Sequence, residues 1–280
     1  MSVGVAGNRL RWQPALYLGL PALIYVALVV GSLFTVPDRM ALTDRLTEPF
    51  TFGPSGAFYL FGTDELGRSY LHRIAEGMLF SVSFALLGSA LSCCVGLAVS
   101  GLYVVRNRIA RQIFEQIVYL QISIPYILII IVISSFLGRS TPVLLLAFAF
   151  YGWEMTARTF AEQINQIRDS NLIRSARLFG AGWFDILIRY YLALIAPQIA
   201  VVLALNFSKI IVAESTLSFV GLGIQPPQAS LGTLLASGHG TFELAWWGVA
   251  FPAAAIVICG VWAAAVIARL GGRGRYHYAP

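Results

Sequence analysis

One lysine, Lys209, stands among the 19 basic residues of the 280-residue chain. A phosphate-cradling P-loop needs a lysine after a glycine-rich turn. The residues ahead of Lys209 are Asn206-Phe207-Ser208, with no glycine, so the chain has no P-loop of its own. Metal chemistry is no better served. His72, His239 and His277 fall far apart, and Cys93, Cys94 and Cys259 lie inside apolar runs. Neither set has ligand spacing, and two adjacent cysteines with one distant partner make no disulfide framework. They read as small packing residues. What remains is a set of polar side chains within apolar stretches: Glu115, Gln116 and Gln121, then Glu154, then Asn206, Ser208 and Lys209. A polar group in a bilayer requires a partner or water, and a central ion costs about 2.5–3.5 kcal/mol even on insertion scales. Asn206 and Lys209 lie three apart on one helical face, and Gln121 and Pro125 lie four apart. The expectation is that Gln121, Asn206 and Lys209 line a translocation path. A plainer reading puts Glu115 and Glu154 near headgroups, lets Lys209 snorkel to an interface, and has Gln121 bond a neighbouring helix. No residue is assigned a catalytic role.

The elements that position these residues are membrane helices. Hydrophobic residues make up 58% of the chain and charged residues 11%, and the mean hydropathy is +0.76. A water-soluble domain carries about 25% charged residues. The first apolar run, Ala15–Val36, is longer than the roughly 7–15 residues of a signal-peptide core, so it is expected to stay as a helix. Runs of about 20 apolar residues mark spans, and these follow at Met78–Val105, Ile113–Leu137, Pro142–Trp153, Leu192–Ala213 and Trp246–Ala268. The fourth spans only if helix continues through Glu154 and Met155 towards Ala157. Without it, the arginine-rich segment that follows would fall on the wrong side. The expected fold is an all-α polytopic membrane protein with six transmembrane helices. Its parts are a 1–14 amino-terminal stretch, a 15–77 first helix with an extracytoplasmic segment, a 78–268 five-helix core enclosing a loop at 158–191, and a 269–280 tail.

Arginine placement sets the orientation. With the amino terminus inside, the cytoplasmic pieces hold Arg9 and Arg11, then Arg106, Arg108 and Arg111. Arg158, Arg168, Arg174, Arg177 and Arg189 follow, with Arg269, Arg273 and Arg275 at the end. These are 13 of the 19 basic residues. Both termini are then cytoplasmic. The net charge of +6 is spread around the spans rather than clustered, which argues against nucleic acid as a partner and for membrane lipid.

The 158–191 loop contains NLIRSARLFGAGWFD. Asn171–Phe179 is expected to be a short helix, with Asn171 as a fair cap and Gly180 in the left-handed conformation that ends a helix. Leu172, Ala176 and Phe179 recur on one face, and Arg174 and Arg177 share another. After the Gly180 hinge, Asp185 opens a second helix that leads into the fifth span. Such a helix either lies in the headgroups, arginine side to phosphate, or docks into a partner's groove.

The order of motifs favours docking, because this stretch resembles the EAA loop of binding-protein-dependent ABC importers. That pattern appears as Arg174-Ser175-Ala176, then Gly180, then Pro197, with arginine and serine in place of the usual glutamate and first alanine. FGTDELGRSYLHRIAEG at 61–77 resembles the Gly-Thr-Asp-x-x-Gly-Arg-Asp segment of peptide and nickel permeases, with Ser69 replacing the last aspartate. ESTLSFVGLGIQPPQASLGTLLASG at 214–238 is similar to their Leu-Ser-Phe-Leu-Gly-Leu-Gly-x-x-Pro-Pro segment. Together the three are similar to the C-type permease of dipeptide, oligopeptide and nickel importers.

That resemblance implies the type I ABC importer permease fold in a bacterial inner membrane, with a cytoplasmic coupling helix. Arg174, Ser175, Ala176, Arg177, Phe179 and Gly180 would meet the ATPase. The implied partners are a homologous B-type permease subunit, two ATPase subunits and an extracytoplasmic solute-binding protein. ATP and Mg would be held by the ATPases, with no cofactor on this chain. Peptides are the expected cargo, and nickel or metal chelates are the alternative. An ion-gradient-driven secondary transporter is a more remote rival, since it favours paired broken helices and mid-membrane acidic sites.

Overall fold

A computed structural model of the chain describes residues 30, 40–101, 108–168, 170–225 and 227–273. The expected 1–14 stretch, most of the first span at Ala15–Val36, Arg106 and the end of the tail lie outside the described residues. The helices are α1 (Tyr70–Ser100), α2 (Arg108–Ser123), α3 (Tyr126–Leu137), α4 (Thr141–Arg168) and α5 (Asn171–Leu178). A short α6 (Trp183–Asp185) runs into a π-helical stretch, Ile186–Leu192, followed by α7 (Ala193–Phe219), α8 (Leu231–Gly240) and α9 (Trp247–Arg273). One two-stranded antiparallel hairpin, β1 (Thr51–Phe52) with β2 (Phe58–Tyr59), pairs Thr51 with Tyr59 and Phe52 with Phe58.

Three helical stretches are long and apolar enough to cross a membrane: Tyr70–Ser100, Ile186–Phe219 and Trp247–Arg269. The span expected at Ile113–Leu137 is instead two helices, Arg111–Ser123 and Tyr126–Leu137, bent by 90°. Pro125 is the cause. Proline donates no backbone hydrogen bond and its ring clashes with the preceding turn, while the residue before it is pushed out of the helical region. Counted as one span, the bent pair brings the number to four. The expected six are not reached among the described residues. The first span lies outside them, and α4 carries Glu154, Arg158, Glu162 and Arg168 along its second half. It runs 28 residues as one unbroken helix, so helix does continue through Glu154 and Met155, and on to Arg168.

The chain divides into two compact units: residues up to Ala85 with Ile211–Val266, and Leu86–Ile210 with the residues from Ile267 on. In the second unit the helices approach through small residues. A Cβ on Gly152 would stand 2.6 Å from Ser92 Oγ, and one on Gly96 would stand 2.9 Å from the Ala157 backbone nitrogen. Ser92 Oγ donates to the Ala149 carbonyl at 3.1 Å. Lipid tails are as apolar as leucine, so helices in a bilayer associate by such close packing and hydrogen bonding. Around this seam Phe114, Trp153, Phe160, Ile164, Ile173, Ile186, Tyr191 and Ile195 form one buried cluster.

In the first unit the segment before α1 is organised by Asp44, which is fully buried. Its carboxylate accepts from the Ser55 backbone N–H at 2.8 Å, from the Tyr59 hydroxyl at 2.8 Å and from the Ser55 hydroxyl. These bonds clamp the hairpin. Thr63 Oγ1 donates to the Asp44 carbonyl at 2.5 Å, and the Thr63 carbonyl accepts from Trp247 Nε1 at 3.1 Å. Gly62 between them has φ +76°, and a Cβ there would lie 2.7 Å from the Thr47 carbonyl and 2.8 Å from Trp247 Nε1. Farther on, Asp64 receives the Arg68 backbone N–H at 2.8 Å and Arg68 Nε at 2.7 Å. The GTDELGR stretch is thus a closed turn held by its own ion pair.

Burial alone would raise the Asp44 carboxyl, but the hydrogen bonds from Ser55 and Tyr59 outweigh it and hold it below the ordinary 3.8. Tyr59 is pushed up to about 12, by burial first and then by its bond to Asp44. A depressed native value stabilises the fold above the unfolded value and is lost as pH falls through the native one. Acid titration of Trp247 fluorescence should therefore show a transition below pH 4. Asp44→Asn should remove it and lower stability at neutral pH; an unchanged acid transition would show that Asp44 does not clamp the segment. At the helix seam, Gly152→Leu should overpack and destabilise by about 1–3 kcal/mol, read as a lower unfolding temperature in detergent.

Candidate coupling helix and polar cavity

α5 is terminated at both ends by its own sequence. Ser170, one residue earlier than the expected Asn171, caps it by accepting from the Ile173 N–H at 3.5 Å. At the other end Gly180 has φ +82°. Its N–H donates to the Arg177 carbonyl at 3.1 Å, and the Ala181 N–H donates to the Ala176 carbonyl at 3.0 Å. This is the paired closure in which a left-handed glycine satisfies the last carbonyls. The stop at Gly180 is as the sequence predicted.

The buried face differs from the predicted one. Ile173 and Ala176 are buried, and Ile173 belongs to the cluster with Phe160, Ile186 and Tyr191. Leu172 and Phe179, expected on the apolar face with Ala176, point away from it: Phe179 is 91% exposed and Leu178 is 87% exposed. Ile173 and Ala176 are three apart, so both apolar sets fit helical spacing, and tertiary contact selects between them. The result is a short helix seated through two small contacts. It presents Arg174, Ser175, Arg177, Leu178 and Phe179 to the outside.

The three residues expected to line a path are placed differently from one another. Gln121 Nε2 donates to the Phe150 carbonyl at 2.9 Å and lies 3.4 Å from Glu154 Oε2, joining α2 to α4. Asn206 is 1% exposed. Its Nδ2 donates to Thr156 Oγ1 at 2.9 Å, which ties α7 to α4, and its Oδ1 has no partner among the described residues. Lys209 alone of the three lines a cavity of about 550 Å³, together with Pro125, Tyr126, Tyr151, Glu154 and Met155. There its Nζ donates to Met155 Sδ at 3.1 Å and stands 6.0 Å from the Tyr151 ring centre. Tyr126 and Tyr151 stack at 4.6 Å. The break at Pro125 exposes this cavity wall, since a straight helix would carry Tyr126 onward rather than turn it back against α4.

One polar centre escaped the sequence reading. Glu214 was placed just beyond a span ending at Ala213, but α7 continues to Phe219 and buries it at 1% exposure. Ser218 Oγ donates to Glu214 Oε1 at 2.8 Å and Ser81 Oγ donates to Oε2 at 3.1 Å. Ser81 Oγ in turn accepts the Leu231 N–H at 3.1 Å, and Ser218 Oγ accepts the Ile224 N–H at 3.0 Å. One carboxylate thereby joins α1, α7 and the first turn of α8. The signal was present in the four-residue spacing of Glu214 and Ser218, which a helix brings onto one face. Past the glycines, Ser230 and Thr233 form a reciprocal capping box that starts α8, so the 214–238 segment includes a packed helix.

Residues 88–273 match the family of binding-protein-dependent transport system inner membrane components. The chain belongs to this family. A Brucella suis protein named as a peptide transport system permease is 31% identical over 91% of this chain and 86% of its own length. The dipeptide transport system permease DppC of Bacillus subtilis is 29% identical over 89% of this chain and 77% of its own. The oligopeptide transport system permease OppC of Mycobacterium tuberculosis is 30% identical over 85% and 82%. The resemblance to C-type permeases is thereby confirmed, and with it the all-helical type I permease fold of a multi-pass membrane protein. The permease is a transport subunit rather than an enzyme, and in this family ATP is hydrolysed by separate subunits.

Removing the Glu214 carboxylate strands several buried donors, each costing about 1–3 kcal/mol. Glu214→Ala in the permease should lower the detergent unfolding temperature by several degrees, while Glu214→Gln, which keeps an acceptor, should restore much of it. Equal losses from both would show that the charge itself is required.

Proposed function

We propose that the permease forms half of the translocation path of an ATP-driven peptide importer. The path would be completed by a homologous B-type permease, and two ATPase subunits and an extracytoplasmic binding protein would complete the machine. α5 is the contact that receives one ATPase. The observation that carries this reading is the exposure of Leu178 and Phe179 on a helix whose two ends are independently closed. Large apolar side chains held rigidly in the open are the usual anchors of a protein interface. Peptides are the preferred cargo because the relatives are named for peptide, dipeptide and oligopeptide transport.

ATP-driven closure of the ATPases would pull on α5, and the spans would alternate between outward-open and inward-open states. The arginines of 158–191 favour a cytoplasmic position for this loop and for both termini. Arg174, where relatives of the EAA pattern place glutamate, gives the contact a basic edge, so an acidic rim on the ATPase complements it. Phe179→Ser should reduce co-purified ATPase roughly tenfold or more, the effect of losing an interface anchor. Scrambling residues 174–180 should abolish association. Full retention of the ATPase by the scrambled protein would remove the basis of the proposal, as would labelling of a cysteine at 174 from the extracytoplasmic side.

A further inference from the structure

Two carboxylates and two basic side chains line the 550 Å³ cavity: Glu154, Arg158, Glu162 and Lys209. Two of them neutralise one another, Arg158 Nε meeting Glu162 Oε1 at 3.1 Å. The other two are left over. Glu154 is buried at 6% exposure; its carboxylate takes backbone N–H bonds from Glu154 and Met155 and a long 3.4 Å bond from the Gln121 amide, and Lys209 is close enough to attract it. Lys209 makes its closest polar contact with a thioether, which is a weak acceptor. Among the described residues neither has an ion-pair partner. The two attract one another without a direct ion pair, and opposite charges in membrane helices held short of contact carry a free-energy cost that a ligand or water between them offsets. They face the same cavity, beside the stacked faces of Tyr126 and Tyr151. Its volume falls within the range of small-molecule sites.

We propose that this cavity is a subsite for a free peptide, the Glu154 carboxylate receiving its terminal ammonium and the Lys209 ammonium receiving its terminal carboxylate. The tyrosine pair packs against an apolar side chain. The inference rests on the peptide-import reading above and adds to it a selection step within the permease, separate from capture by the binding protein. A blocked terminus leaves either buried Glu154 or the more exposed Lys209 without its ligand partner, and the site discriminates against the molecule on that ground.

The test uses the whole complex in proteoliposomes, with binding protein outside and ATP inside. The probes are labelled Ala-Phe, N-acetyl-Ala-Phe and Ala-Phe-amide. Because the same binding protein serves every permease variant, its own preference cancels when the uptake ratios are compared. Lys209→Gln should lower the Ala-Phe to Ala-Phe-amide ratio about tenfold, the worth of a charge-assisted bond, and leave the N-acetyl ratio in place. Glu154→Gln should do the reverse. If both variants slow all three probes alike, the residues serve packing and the subsite is refuted. A photoreactive dipeptide in the unmutated complex, carrying benzoyl-phenylalanine, should label residues 151–158 or 209; labelling confined to other segments also refutes it. Failure of the unmutated complex to accumulate any probe would instead bring down the peptide-import reading, and the subsite with it.

Discussion

A polar side chain inside a bilayer must find its partner within the protein, because the hydrocarbon offers none. Most of the architecture follows from how the permease meets that requirement. Asn206 reaches Thr156, Gln121 reaches the carbonyl of Phe150, and Glu214 gathers Ser81 and Ser218. Except for the Ser218–Glu214 bond within α7, each of these crosses from one helix to another. Lipid supplies no hydrophobic driving force between spans, so such contacts, with the glycine and serine seams at Gly96, Ser92 and Gly152, decide which faces meet. Against that background Glu154 and Lys209 stand out as an acid and a base on one cavity with no direct ion pair among the described residues.

The same economy governs α5. A helix of eight residues is unstable alone, because nucleation consumes most of what its few hydrogen bonds return. Here Ser170 closes one end, Gly180 and Ala181 close the other, and Ile173 enters the core cluster. Ala176 is buried beside it. The rest of its surface is therefore free to carry residues chosen for contact rather than for folding. Two exposed apolar side chains beside two arginines are consistent with that freedom.

Much of this was legible in the sequence, and the failures have physical causes. The membrane class, the helical fold and the Gly180 stop rest on composition and on the local rule of the left-handed glycine. The orientation of α5 was misjudged because Leu172, Ala176 and Phe179 fit helical spacing as well as Ile173 and Ala176 do. Periodicity cannot choose between overlapping stripes without the surface they pack on. The 90° break at Pro125 was missed because hydropathy averages over it, although the proline itself announces it. Glu214 was set outside its helix by a boundary drawn where apolar residues stop, whereas the helix stops where its glycines begin. Gln121 and Asn206 were grouped with Lys209 by face and spacing, yet hydrogen bonding to α4 occupies both.

Connectivity joins the proposed handle to the proposed site. From Ile186 to Phe219 the chain is one helical stretch, opening two turns after Gly180 and carrying Asn206 and Lys209 near its far half. Its start is π-helical over seven residues, a wider winding that is uncommon outside functional positions. Pro197 follows, where the missing donor weakens the ladder. A displacement at Phe179 that passes the Gly180 turn would be absorbed at these two irregular points or be carried along the helix to Lys209. Asn206 is bonded to Thr156 of α4 one turn before Lys209, so that part of α7 is fixed to the helix bearing Glu154. In the proposed machine the bending would fall between Ile186 and Asn206, and the two charges would keep their spacing while α5 moves. A site that holds both ends of a solute during alternation requires that invariance, and in the proposed machine α7 would supply it by being irregular near α5 and tied to α4 beside Lys209.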